Sequence, residues 1–428
     1  MKRNLVWFTR DLRIHDNVAL QKATEHAKII PLYVLNLDDF KADQLGFPRI
    51  GKYRGRFLYE SLIDLKQNLK ELGGDLLIIN GDPHEVVPGL AKKYQVEGVY
   101  STSSTYYREF ELKNRVGERL EQANINFHQY HQYTLFHPED IPFNLTDTPD
   151  IFTEFRKKLE KNAQIKPAAG GIEKIALVDD LLYEEPVQWY GLNEDYFHHP
   201  RQYIHLKGGE SQARQRLAHY FWQADELQNY KWTRNGLMGM NYSSKFSAWL
   251  SLGCISSRQI YQEVKRYEQE RKKNISTYWL IFELIWRDFF QYMALKHGER
   301  LELVDGIKSK KIDFSDDHTL FEKWCTGQTG QRFIDANMKE INATGYMSNR
   351  GRQNVASYLV KDLKVNWTWG AKYFESLLID YDPASNWGNW NYVAGVGNDP
   401  RENRYFNPEK QAKKYDPEDK YQDHWLTE

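Results

Sequence analysis

The chain has 428 residues, with 58 Lys+Arg against 59 Asp+Glu, a balance that argues against nonspecific nucleic-acid binding by the molecule as a whole. Two cysteines, Cys254 and Cys325, exclude a disulfide framework and a CxxC zinc site, and no apolar run reaches the length of a membrane span. The 13 Trp, 28 Tyr and 21 Phe are distributed unevenly, since every tryptophan but Trp7 lies at residue 189 or beyond. That asymmetry, and a length too great for one typical domain, predict two or three parts with different tasks. Charges at Lys2, Arg3 and Arg10 interrupt the N-terminal run too early for a signal peptide, so a reducing, cytoplasmic compartment is expected.

Residues 1–130 alternate. Short apolar runs at 4–8, 28–36, 75–80, 96–102 and 125–130 predict strands, and amphipathic patterns at 16–26, 51–72, 84–94 and 107–123 predict the helices between them. Such alternation predicts a doubly wound parallel sheet with helices on both faces. No GxGxxG follows the first strand, so a Rossmann dinucleotide site is not supported. Residues 131–205 lose the alternation, are rich in proline and acidic side chains, and contain KPAAGG, which predicts a connector, partly loop. Residues 206–428 form an all-α part. Its helical patterns include a serine-capped run after residue 256, the long TYWLIFELIWRDFFQYMALKHG and RGRQNVASYLVKDL, and a polar tail expected to wrap the surface. Residues 201–300 hold 16 Lys+Arg against 9 Asp+Glu, which suits either a local anion-binding face or a solvated helical surface.

Three clusters carry chemistry. Glu283, Trp286 and Arg287 fall at i, i+3 and i+4 on one helix face, a set that can hydrogen-bond a polar ring, stack on it and neutralise a phosphate, or form an intrahelical ion pair beside a core indole. Asn349, Arg352 and Gln353 share the same spacing, and their amides suit the edges of nucleobases or helix capping. Ser243, Ser244 and Ser247 surround Lys245 just before a helical run, a pattern suited to a phosphate. The stretch DYDPASNWGNWNY, residues 380–392, crowds rings and amides together in a way that neither a surface loop nor a core strand explains.

Taken in order, VWFTRDLRIHDNVAL, Tyr230 with Arg234 and Asn235, SSKFSAWLSLGCISSR, ELIWRDFF, TGYMSNRGRQNVASYLVKDLKVNW and DYDPASNWGNWNYVAGVGNDPRENRYFNP resemble the photolyase/cryptochrome family. RGRQN, YDPASNWGNWNY and the tail resemble its cryptochrome DASH branch most. The resemblance implies an α/β antenna domain at 1–130, a connector at 131–205 and a helical FAD- and DNA-binding domain at 206–428. It implies FAD contacts from Tyr230, Ser243, Ser244, Lys245, Phe246, Ser247 and Arg287. Arg352 and Asp380 would flank the flavin ring, Asp382 would lie in its shell, and Asn386 would face its N5. Trp390 would be the indole beside the flavin and Trp367 the next outward in an electron relay. The third tryptophan of the family's series falls near Phe314, a poor electron donor, so Trp324 or a nearby tyrosine is expected to complete the path.

The activity implied is light-driven repair of cyclobutane pyrimidine dimers, preferably in single-stranded DNA. An electron from excited, reduced FAD enters the dimer and returns once the ring has split. Trp286 would stack on the flipped bases, Glu283 would hydrogen-bond a pyrimidine, and Asn349, Gln353 and Tyr392 would line the pocket. A second chromophore, methenyltetrahydrofolate as in DASH relatives, is expected in the N-terminal part with Glu109 as its carboxylate contact. RNA is a second candidate partner. A monomer without metal or membrane partner is expected. A blue-light receptor signalling through flavin redox state would share the flavin site, but Glu283, Trp286, Asn349 and Gln353 favour catalysis.

Overall fold

The structure is a computed structural model that describes residues 2–179, 181, 199–401 and 404–427. In chain order its first half contains β1 (Lys2–Phe8), α1 (Val18–Thr24), β2 (Ala27–Leu35), α2 (Lys52–Glu71), β3 (Leu77–Asn80), α3 (Pro83–Lys93), β4 (Gly98–Thr102), α4 (Tyr107–Glu121) and β5 (Asn126–Tyr130). All ladders are parallel and the strand order is β3-β2-β1-β4-β5. β1 sits centrally, and Leu5, Val6, Trp7 and Phe8 are buried on both faces, which is why its sequence reads as a continuous apolar run. The order reverses between β1 and β4, so a cleft opens beyond their carboxyl ends, where doubly wound sheets bind ligands.

The connector holds a helix that its composition hid, α5 (Phe152–Asn162), whose Phe152, Phe155 and Leu159 are buried. Part of the connector, residues 182–198, lies outside the described residues.

The second half is helical: α6 (Glu210–Ala218), α7 (Tyr230–Thr233), α8 (Ser247–Ser251), α9 (Ser257–Glu270), α10 (Ile275–His297), α11 (His318–Thr326), α12 (Arg332–Thr344), α13 (Asn349–Ser357), α14 (Trp367–Leu377), α15 (Pro383–Ala394), α16 (Pro408–Tyr415) and α17 (Lys420–Leu426). α10 is the axis of this half. Asn274 caps its N-terminus through the Ser276 and Thr277 amides, and it packs on α15, α7, α9 and α5. α9 begins at a capping box formed by Ser256 and Gln259.

One expectation changes. The polar tail does not simply wrap the surface: α16 and α17 pack on α12, burying Tyr421 and Trp425 with Phe333. DYDPASNWGNWNY is mostly helix. Asp382 caps α15 through the Ser385 amide at 2.8 Å and Pro383 occupies its first turn. The asparagines then satisfy carbonyls: Asn389 donates to Ser385 O, and Asn391 to Trp387 O and Leu301 O. These bonds let a buried helix carry so many amides.

The halves are stitched together. Leu12 N donates to Leu252 O at 3.1 Å, Arg13 Nη1 donates to Gly253 O at 2.8 Å, and Arg258 forms a buried pair with Asp16 at 2.8 Å. Gly253 has φ +66°, and a Cβ there would collide with the Arg10 backbone. Among the described residues no helix is long and apolar enough to cross a membrane.

Candidate functional site

A cavity of about 870 Å³ opens among α10, α13, α15 and residues 230–251. It continues into a recess of about 120 Å³. Tyr230, Ser243, Ser244, Lys245, Phe246, Ser247, Arg287, Arg352, Asp380 and Asp382 line the cavity, and Asn386 and Trp390 line the recess. Glu283, Trp286, Asn349, Gln353 and Tyr392 line the same cavity. Trp324, Trp367 and Glu109 lie elsewhere.

The serine–lysine loop is built for an anion. Lys245 is 2% exposed, its Nζ has no hydrogen-bond partner, and it rests 3.1 Å from the centroid of the Tyr242 ring. Burial holds its ammonium pKa well below the usual value, with Glu340 opposing. Its φ of +64° is a left-handed conformation that a non-glycine residue rarely adopts. Arg216, on α6, holds the loop in place by donating to Ser244 O and Ser243 O at 3.0 Å and to Asn241 Oδ1 at 2.8 Å. α8 has only five residues, so anion binding rests on the lysine and hydroxyls rather than on a helix dipole. A buried lysine amine with no hydrogen-bond partner beside three serines fits the pyrophosphate of a dinucleotide, whose charge would favour the ammonium form, and the cavity volume fits a ligand of that size.

Deeper in, Arg352 Nη2 donates to both oxygens of Asp380 at 2.8 and 2.9 Å, while its Nε donates to Met347 O at 2.9 Å. Burial opposes the charge on Arg352, but Asp380 outweighs it and raises the pKa. Ser348 caps α13 at the Gly351 amide and so aims Arg352 inward. Asp382 accepts from Tyr133 Oη at 2.6 Å and from Gln291 Nε2 at 2.8 and 3.0 Å, with Arg287 at 3.6 Å. Burial pushes the Asp382 carboxyl up, yet Arg287, Arg10 and Tyr133 together hold it below the usual range. Asn386 donates from Nδ2 to Ala371 O at 3.1 Å, which pins the amide between α15 and α14.

Along the outer wall, Glu283 and Arg287 lie one turn apart but bond elsewhere. Glu283 pairs with Arg234 at 2.7 Å, and Arg287 Nη1 donates to Tyr133 O at 2.7 Å. Burial raises the Glu283 pKa against the pull of Arg234 and the Trp279 indole N–H. Trp286 has one face covered by Phe152 of α5, centroids 3.6 Å apart and planes 9° apart, and Tyr392 meets it edge-on at 6.4 Å. Tyr392 Oη accepts from Arg404 at 2.7 Å, and Gln353 Oε1 accepts from Arg350 at 2.8 Å.

The indoles form two contact groups. Trp390 meets Trp324 at 6.2 Å and 72° and Phe374 at 5.2 Å, whereas Trp367 meets Trp387 at 5.9 Å. α14 runs so close that a Cβ on Gly370 would collide with the Trp390 ring. Trp324 and Trp367 are both fully buried, their Nε1 atoms donating to Val355 O and Val304 O. Neither reaches the surface. Phe321 contacts Trp324 at 5.9 Å and the half-buried Trp369 at 5.4 Å, which continues the first group outward.

Glu109 belongs to a second cavity of about 550 Å³ at the sheet's switch point, lined by Trp7, Arg10, Lys113 and, from the helical half, Glu302 and Glu375. It is only partly exposed: it pairs with Arg10 at 2.5 Å and accepts from Ser104 Oγ at 2.6 Å. Burial lowers the Lys113 pKa to about 8, which Asp11 and Glu109 oppose. The two cavities are neighbours. Asp380 and Asp382 line the main one, while Tyr381 and Pro383 line the second.

Sequence reasoning missed Arg216, Tyr133, Gln291, Trp279 and Phe152. Arg216, Tyr133 and Phe152 act through long-range contacts, whereas the i+4 spacings of Gln291 from Arg287 and of Trp279 from Glu283 on α10 were usable signals.

Comparison with known proteins follows the same division. A family described as "DNA photolyase" matches residues 4–172, and one described as "FAD binding domain of DNA photolyase" matches residues 279–428. The chain is 46% identical over 439 residues to the protein named Cryptochrome DASH of Gloeobacter violaceus, covering 100% of this chain and 86% of that one. It is 44% identical to Cryptochrome DASH of Xenopus laevis, covering 98% and 81%. The crystal structure of a Synechocystis sp. PCC6803 cryptochrome superposes with a TM-score of 0.97 at 44% identity, covering 100% of this chain and 89% of that one. A bacterial class III photolyase from Agrobacterium tumefaciens, at 24% identity and a TM-score of 0.85, covering 99% and 86%, shares the fold.

Proposed function

From the premise that this chain belongs to the photolyase/cryptochrome family and is most similar to its DASH members, we propose that it splits cyclobutane pyrimidine dimers in light, preferentially in single-stranded DNA, with FAD in the main cavity. One observation carries this reading: the nucleobase-type residues Glu283, Trp286, Asn349 and Gln353 share a cavity with the anion loop and the Arg352–Asp380 pair.

FAD, when bound, supplies light absorption and the transferable electron. Lys245 and the serines would hold its pyrophosphate, Arg352 and Asp380 its polar ring edge, and Asn386 a ring nitrogen, since an amide both donates and accepts. Arg352 also places positive charge where a reduced, anionic ring is favoured. Trp286, which lines the cavity and is held in place by Phe152, would stack on a flipped base. Glu283, fixed by Arg234, accepts from a pyrimidine N–H or, when protonated, donates to a carbonyl. Tyr392 presents a smaller ring than tryptophan, which fits a weak grip on a base drawn from a duplex and a preference for single strands. Trp390 and Trp324, which are in contact, would resupply electrons to the site, and Trp367, in the other contact group, would be the alternative route. The second cavity would hold methenyltetrahydrofolate, with Glu109 at a pterin edge.

The test is illumination of the reduced protein with dimer-containing oligonucleotides, single- and double-stranded, following dimer loss. Faster loss from single strands is expected. No loss from either would overturn the reading in favour of a flavin photoreceptor.

A further inference from the structure

Trp232, on α7, is 71% exposed, the most exposed of the large apolar side chains among the described residues. An indole left in water forgoes the burial that elsewhere stabilises the fold, so its surroundings matter. Lys231 Nζ lies 4.8 Å from the Trp232 ring and 4.7 Å from the Trp279 ring. Trp279 lines the main cavity, as do Tyr230 and Arg234 on either side of Trp232. Arg234 in turn pairs with Glu283 on the outer wall. The order from cavity to solvent is therefore indole, ammonium, indole.

That arrangement suits a single strand leaving the cavity. Bases need flat faces and the phosphate between them needs a cation; stacking on aromatics is tolerant of sequence because every base has a π-face. We propose that Trp232 is a stacking platform for an unpaired base flanking the dimer, with Lys231 on the intervening phosphate. The proposal rests on the DNA-repair reading above and adds a subsite outside the cavity. A second copy of this chain is a poorer occupant, because Lys231 places positive charge against the indole and calls for an anionic partner.

The experiment uses the full-length flavin-loaded protein, a labelled twelve-nucleotide oligothymidylate, the same strand with one central dimer, and the isolated dimer dinucleotide. Trp232→Ala should weaken binding of the labelled oligothymidylate by about fivefold or more, the low end of the value of one stacked base. Trp232→Phe should recover most of that loss. Lys231→Ala should reduce the slope of log affinity against log salt by about one. The loss in Trp232→Ala should depend on strand length and be absent for the dinucleotide, which has no flanking base. Equal affinity of Trp232→Ala and wild type for oligothymidylate would overturn the subsite while leaving the repair reading intact, as would a changed oligomeric state with strand affinity untouched. Failure of the wild type to split the dinucleotide in light would overturn both.

Discussion

Arg352 donates from one nitrogen to both carboxylate oxygens of Asp380, at 2.8 and 2.9 Å, where the main cavity narrows into its recess. Asp380 is 6% exposed, so Arg352 rather than water satisfies its carboxylate oxygens. Arg352→Ala should destabilise the protein by roughly 3–5 kcal/mol in chemical denaturation, because it leaves a buried carboxylate unpaired. Arg352→Ala combined with Asp380→Asn should regain much of that stability but not the flavin, read from visible absorbance. Equal flavin content in the single variant and wild type would count against the pair as a cofactor contact.

The contact between Trp390 and Trp324 predicts where electrons enter. Trp390→Phe should nearly abolish photoreduction of the bound flavin. Trp324→Phe should slow it several-fold, and Trp369→Phe should do the same if Phe321 only bridges the two. Dimer splitting by chemically pre-reduced protein should be unaffected by Trp324→Phe. Unchanged photoreduction in Trp324→Phe would assign the route to Trp367.

The outer wall separates binding from chemistry. Trp286→Ala should weaken binding of a dimer-containing strand roughly fivefold to a hundredfold. Glu283→Gln should bind nearly as well and split dimers about a hundredfold more slowly, if its charge acts mainly during bond cleavage. Wild-type splitting rates in Glu283→Gln would remove that residue from the reaction.

Glu340 makes stability depend on pH. Burial pushes its carboxyl up to about 7 from the ordinary 4.5, and the Tyr421 hydroxyl, Lys245 and Arg352 offset this only in part. A folded value above the unfolded one means that the native state holds the proton more tightly. The stability contributed is complete below about pH 4.5 and is lost as pH rises through 7, up to about 3 kcal/mol. Tm should therefore fall less for Glu340→Gln than for wild type between pH 5 and 8. Parallel curves would show that the carboxyl is ionised throughout.

Short apolar runs and period-3.6 patterns made the five strands and their helices legible to within a few residues, because burial alone dictates them. The catalytic-type clusters were legible too, since each falls within one helix or loop. Helix α15 was obscured, as amides that bond to its own and neighbouring carbonyls look in sequence like turn formers. Residues 210–230, whose sequence ESQARQRLAHYFWQADELQNY suits a single helix, break where Asp225 adopts φ +55° and accepts from Tyr267, a partner 42 residues away. Phe152 against Trp286, and Arg216 under the serine loop, are likewise contacts that no local pattern encodes.

Residues 380–383 present alternate side chains to the two cavities. A partition one polypeptide thick couples its rooms. Asp382 is held by Tyr133 and feels Arg10, while Arg10 is itself paired with Glu109 on the far side. Replacing Glu109 would thus leave the charge of Arg10, still held at Ser251 O, less neutralised beside Asp382, so that neither compartment can be re-engineered without adjusting the other.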